Sequence, residues 1–176
     1  TPWRVREACI ASLERGYTAY TSNAGLIELR REIHKYLEER FAVSYHPEKE
    51  IMITVGASEA IDIALRAIVD PGDEVLVVEP CYVSYEPVIR LAGGVPVFLH
   101  TRAEQSFKLT PEELEAHITP RTKAIVVCYP NNPTGSTMSA EEWKRLIPIL
   151  VKHDLLVISD EIYAELSYGQ RHESIA

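Results

Sequence analysis

The sequence predicts an α/β protein built on a mostly parallel sheet with helices on both faces. Three observations predict it. Short, near-continuous Val/Ile/Leu runs recur along the 176 residues, as strands buried on both faces require. Segments with apolar residues at helical spacing lie between those runs. Gly, Pro, Asp and Ser punctuate the change from one to the other. With 46% hydrophobic and 25% charged residues, the chain has an ordinary globular composition and enough length for a real core.

The elements follow in order. Pro2 suits a first helical turn, and Gly16 suits the stop of a helix carrying Val5, Ile10 and Leu13. Asn23 is a candidate cap for a second helix, in which Leu26, Leu29, Ile33, Tyr36 and Leu37 recur at helical spacing. Residues 51–55 read as a first strand ending at Gly56. Ala60, Ile61, Ala64, Leu65 and Ile68 mark a helix closed by the turn Asp70-Pro71-Gly72-Asp73. Residues 75–78 are a second strand, residues 82–91 a helix stopped at Gly93-Gly94, and residues 95–99 a third strand. Thr110, Pro111 and Glu113 open a short helix with a capping box, and Ser139 and Glu142 open a longer one. Residues 124–128 and 155–158 are the fourth and fifth strands. No repeat, low-complexity tract or linker interrupts the chain, so residues 1–176 are expected to hold no internal domain boundary.

Charge and cysteine usage narrow the setting. The net charge of -8 speaks against a nucleic-acid surface. Cys9, Cys81 and Cys128 are far apart and odd in number. They fit a reduced, cytoplasmic setting in which all three are buried small hydrophobes. No apolar run approaches the roughly 20 residues of a membrane span, and no signal peptide is visible. Neither a nucleic acid nor a membrane is expected as a partner. The chain opens on Thr1 rather than Met, consistent with a natural N-terminus lying upstream.

Several residues could carry chemistry. Gly56-Ala57-Ser58 lies where the first strand turns into a helix. Free backbone N–H groups, the helix dipole and the Ser58 hydroxyl would make a phosphate cradle there. The same residues also read as a glycine turn with a serine cap. Asp160 follows four apolar residues at a strand end, and a carboxylate so placed needs a partner. It reads either as a turn cap or as one half of an ion pair. Asn132 precedes Pro133, which biases it to extended backbone and aims its side chain; Asn131 reads as a turn residue. The histidines at 34, 46, 100, 117, 153 and 172 form no metal pair at helical spacing and are expected at the solvated surface. Nothing activates Cys81. No GxSxG, HExxH or Walker motif occurs.

The string Tyr129-Pro130-Asn131-Asn132-Pro133-Thr134-Gly135, followed by Ser159-Asp160-Glu161-Ile162-Tyr163, resembles the class I/II aminotransferases, enzymes of pyridoxal phosphate fold type I. Each string follows an apolar strand, where open α/β sheets bind their ligands. TSNAGLIELR, TVGASEAID, SDEIYAEL and HESIA extend the likeness to bacterial aminotransferases of the aminotransferase A and N-acetyl-L,L-diaminopimelate aminotransferase kind. The resemblance implies an incomplete fold type I large domain over residues 1–176: a three-layer α/β/α arrangement holding strands one to five of seven. The spatial order would be third-second-fourth-fifth, with the first strand detached from the fifth. It implies pyridoxal 5'-phosphate as cofactor. Gly56, Ala57 and Ser58 would hold its phosphate, and Asp160 would pair with its pyridinium nitrogen. Asn132 and Tyr163 would hydrogen-bond its O3′ oxygen, with Asn132 also helping to receive the substrate carboxylate. Tyr82 would stack on the ring, or else pack in the core as a helix-start aromatic. The alternative for Tyr163 is an amphipathic tyrosine at the sheet edge. Tyr20 would reach the phosphate of a partner subunit, giving a homodimer with the site between chains, or else pack before a helix.

In the resembling enzymes the Schiff-base lysine and two substrate- or phosphate-binding arginines lie beyond the residue matching Ala176. The lysines at 35, 49, 108, 123, 144 and 152 stand in no matching context, so no catalytic residue is assigned within the chain. The expected whole protein transfers an amino group between an amino acid and a 2-oxo acid, with residues 1–176 inactive alone. A carbon–sulfur lyase of the same fold type, an aminotransferase-like sensor domain of a transcription regulator, and a stand-alone binding module are the alternatives.

Overall fold

Four apolar runs become the strands of one parallel sheet in the computed structural model, which describes residues 1–169 and 171–176. They are β1 (Glu74–Glu79), β2 (Val95–His100), β3 (Thr122–Cys128) and β4 (Leu156–Asp160). Their spatial order is β2-β1-β3-β4, and every pairing is parallel. This is the third-second-fourth-fifth order expected from the sequence. Register aligns Glu79 with His100 and Cys128 with Asp160. The loops carrying the candidate residues therefore leave from one edge, the carboxyl ends of the strands.

Residues 51–55 are not a strand. Among the described residues they join no ladder, and a strand without a neighbour leaves its backbone groups to find other partners. Ile53 N–H donates to Ala24 O at 3.0 Å, and Val55 N–H donates to a carboxylate oxygen of Glu59. Among the described residues the expected five strands are thus four.

The chain divides into two units, Thr1–Ile53 and Thr54–Ala176, and no change of composition marks the division. The first carries α1 (Trp3–Glu14) and α2 (Ile27–Phe41). No residue of α1 is buried. Asn23 does not cap α2; Leu26 stands at its N-cap without a side-chain bond. Gly25 has φ +88°, and a Cβ there would meet Ile53 Cβ at 2.6 Å, so both backbone and space demand glycine. Arg30 is buried and reaches Glu48 O through Nη1 at 3.4 Å.

The second unit has three layers. Its helices are α3 (Ala57–Ile68), α4 (Tyr85–Leu91), α5 (Pro111–His117) and α6 (Ala140–Lys152). Side chains alternate across the strands. Val75, Val77, Ala124, Val126 and Cys128 pack against Ile61 and Leu65 of α3 and Tyr85 and Ile89 of α4. Leu76, Val78, Ile125 and Val127 pack on the other face, against Leu114 of α5 and Trp143, Leu146 and Leu150 of α6. Burial on both faces is why these runs lack polar alternation.

Local signals held unevenly. Ser139 and Glu142 form a reciprocal capping box on α6. Thr110 Oγ1 accepts from Glu113 N–H at 3.3 Å, but the Glu113 carboxylate accepts instead from His100 N–H at 2.9 Å. The second capping box is therefore half formed, because a strand end competes for its carboxylate. The helix expected from residue 82 begins at Tyr85. Of the cysteines only Cys128 is buried; Cys9 is exposed and Cys81 intermediate. Cys9 lies on α1, which buries nothing. His172 is buried rather than solvated, because Glu161 supplies a partner. Among the described residues no helix is long and apolar enough to cross a membrane.

Candidate active site

The carboxyl ends of β3 and β4 and the N-terminus of α3 surround a cavity of about 240 Å³. Gly56, Ala57, Ser58, Tyr82, Asn132, Asp160 and Tyr163 all line it, joined by Val55, Ile61, Tyr85, Cys128 and Ile162. Seven of the eight residues singled out from the sequence are thus brought together. Tyr20 is not among them: it belongs to the unit Thr1–Ile53 and is fully exposed.

One wall is the start of α3. Gly56 is its N-cap, with φ 98° and ψ 163°, a conformation that favours glycine. Ser58 is not the cap but lies inside the first turn. The N–H groups of Ala57, Ser58 and Glu59 have no i−4 carbonyl within the helix, and Gly56 has no side chain to cover them. The Tyr82 phenol is pulled below its usual range by the nearby hydroxyls of Ser84 first and Ser58 second. The stacking candidate and the cradle therefore line the same cavity.

Another part of the lining is acidic. Asp160 ends β4, and both of its oxygens are engaged. Oδ2 accepts from Tyr85 Oη at 2.7 Å, and Oδ1 accepts from Ile162 N–H at 3.2 Å. Tyr85 is 2% exposed and stands edge-on to Tyr82, ring centroids 5.8 Å apart. Burial first, then its bonds to Cys128 and Asp160, hold its phenol far above the usual range. It is a permanent neutral donor to the carboxylate. Sequence reasoning missed Tyr85; the available signal was a second tyrosine three residues after Tyr82, one helical turn on.

Asn132 reaches the cavity from a locked turn. It lines the cavity beside Cys128, whose thiol donates to Pro130 O at 3.5 Å within the same loop. Asn131 builds the turn: its Oδ1 accepts from Thr134 N–H at 3.1 Å and Thr134 Oγ1 at 2.8 Å, while Nδ2 donates to Pro80 O at 3.2 Å. That last bond ties the loop after β3 to the loop after β1. Burial pushes the Cys128 thiol up, and burial with the Glu79 carboxylate pushes Cys81 to about 11. Neither is a poised nucleophile. Among the described residues no lysine lines the cavity, and no group of three or more His, Cys, Asp or Glu could hold a metal.

A helix terminus that attracts an anion thus lines the same cavity as a carboxylate suited to a cation, an aromatic ring, an amide and a phenol. The family model for aminotransferase class I and II matches residues 1–176. The chain belongs to the class I and II aminotransferases. It is 55% identical over its whole length to YugH of Bacillus subtilis (strain 168), which carries an aminotransferase name, and covers 46% of that protein. It is 46% identical to a second protein of that strain, named as an N-acetyl-LL-diaminopimelate aminotransferase, and covers 44% of it. The crystal structure of an aromatic aminotransferase from Pyrococcus horikoshii OT3 superposes with a TM-score of 0.98 at 39% identity, over 99% of this chain and 47% of that one. The chain therefore spans under half the length of the relatives it matches.

Proposed function

We propose that this chain is part of a pyridoxal-phosphate-dependent aminotransferase and forms the cofactor-holding part of its large domain. The observation that carries the reading is Asp160, fixed at the end of β4 in the same cavity as the open N-terminus of α3. The donor set fits the cofactor. The N–H groups at the start of α3 and the Ser58 hydroxyl would bind the phosphate. Tyr82 would lie against the ring, and Asn132 and Tyr163 would reach its O3′ oxygen. The Asp160 carboxylate would hold the proton on the ring nitrogen. When bound, the cofactor supplies an electron sink for bond breaking at the substrate Cα. Asp160 serves that chemistry by stabilising positive charge on the nitrogen, and Tyr85 serves it by orienting Asp160.

The substrates proposed are an amino acid and a 2-oxo acid. The Schiff-base lysine is proposed to come from outside this chain, in keeping with a cavity that no described lysine lines. A cytoplasmic homodimer, with Tyr20 serving the partner's phosphate site, belongs to the same proposal. The test is Asp160→Ala in the full-length protein, assayed for amino transfer to a 2-oxo acid. Turnover should fall by several orders of magnitude with the electron sink impaired. Near-normal turnover would sink the assignment.

A further inference from the structure

The motif His172-Glu173-Ser174 does not line the cavity, yet it joins a part-buried polar cluster around Glu161, the chain neighbour of Asp160. His172 Nε2 lies 2.8 Å from Glu161 Oε2, with the imidazole only 4% exposed. Glu161 Oε1 accepts from Ser174 Oγ and from Ser159 Oγ, each at 2.8 Å. An ionised carboxylate only accepts, so the imidazole nitrogen facing it carries the proton. Three donors thus converge on one carboxylate that is itself 21% exposed.

Glu161 sits between two residues of the candidate site. Asp160, Ile162 and Tyr163 line the cavity, and Glu161 does not. The backbone between them is a tight turn: Asp160 Oδ1 accepts from Ile162 N–H at 3.2 Å, and Glu161 O accepts from Ala164 N–H at 2.9 Å. Fixing the Glu161 side chain on one side of this turn fixes the directions in which Asp160 and Tyr163 leave the other. Trp143 tethers the same terminal segment independently, donating Nε1–H to Glu173 O at 3.2 Å. Stability of the segment therefore has a second source that does not pass through Glu161.

We propose that Glu161 and His172 are positioning residues for the cofactor pocket, acting through the turn that presents Asp160 and Tyr163. The proposal rests on the aminotransferase reading. A side chain displaced by about 1 Å can cost on the order of 100-fold in a step that depends on its placement. A part-buried pair that holds two such side chains at once is where that sensitivity would show.

The experiment uses the full-length protein loaded with pyridoxal phosphate and compares His172→Ala, His172→Gln, Glu161→Gln and Trp143→Phe. Cofactor affinity, cofactor circular dichroism, kcat and thermal midpoint are measured for each. Trp143→Phe should lower the midpoint and leave affinity and the cofactor signal unchanged. His172→Ala and Glu161→Gln should weaken affinity or kcat by about 10- to 100-fold and change the cofactor dichroism. His172→Gln keeps a donor near the Nε2 position and should recover most of the loss. If His172→Ala and Glu161→Gln lower only the midpoint, as Trp143→Phe does, the pair is a structural clasp and the proposal is overturned. Unsubstituted protein that binds no pyridoxal phosphate would overturn the aminotransferase reading itself, and this one with it.

Discussion

Replacing Tyr85 by Phe removes one oxygen and leaves the ring in place. The bond lost runs from Tyr85 Oη to Asp160 Oδ2 at 2.7 Å. A hydrogen bond to a charged group contributes about 1.5–3 kcal/mol. At about 1.4 kcal/mol per factor of ten, the loss corresponds to roughly 10- to 150-fold in any quantity that needs Asp160 ionised and aimed. The substitution is clean because Phe keeps the edge-on contact with Tyr82 and opens no sizeable cavity. Burial holds the Tyr85 phenol far above its usual range, so the donor stays protonated at every practical pH. The deficit should therefore be the same across the pH profile, as far as the phenol is concerned. The assay is steady-state transamination by the full-length protein, with cofactor affinity measured in parallel. Expected is a fall of that size in kcat/KM, in affinity or in both, with the fold intact. Values within twofold of the unsubstituted protein would refute the reasoning, since Asp160 would then be held without Tyr85.

Three further outcomes follow from other parts of the second unit. Glu74 is buried at the start of β1 and accepts from Thr119 Oγ1, from Arg121 Nη2 at 2.6 Å and from Arg121 Nε at 3.0 Å; these bonds, Thr119's first, hold its carboxyl below the usual range. A lowered folded-state pKa stabilises above the unfolded value and is lost as pH falls through the folded one, so Glu74→Gln should flatten the acid limb of a stability–pH curve measured by urea unfolding. At neutral pH the same variant should lose about 1.5–3 kcal/mol rather than more, because the Arg121 side chain is 73% exposed and water takes up its charge. Gly56→Val places a β-branched residue at φ 98°, where the left-handed backbone alone costs about 1–3 kcal/mol; a Cβ there meets no atom within 4 Å, so the phosphate-cradle reading predicts weakened pyridoxal phosphate binding through altered backbone, visible by titration. Ser139→Ala breaks the capping box of α6 and should cost about 0.5–2 kcal/mol in denaturant unfolding, with cofactor affinity unchanged.

The sequence by itself determined the sheet of the second unit and most of the cavity. Runs buried on both faces, such as Val75 to Val78 and Ala124 to Cys128, lack polar alternation, and that pattern is readable without coordinates. Strand order came from resemblance, as did the roles of Asn132 and Tyr163, while Asp160 also stood out as a carboxylate after four apolar residues at a strand end. Other features depended on partners distant in the chain, which local pattern does not encode. Residues 51–55 have the composition of a strand, but pairing needs a neighbour, and propensity supplies none. Glu113 has the spacing of a capping box, yet His100 N–H, from the end of β2, takes its carboxylate. Tyr85 and Asp160 are 75 positions apart, and their 2.7 Å bond exists only once α4 packs on the sheet that β4 belongs to. His172 reads as a surface histidine in the sequence, but in the fold it is buried with Glu161 as its partner. Periodicity records which side of an element faces the core; only the packed structure decides which polar group meets which.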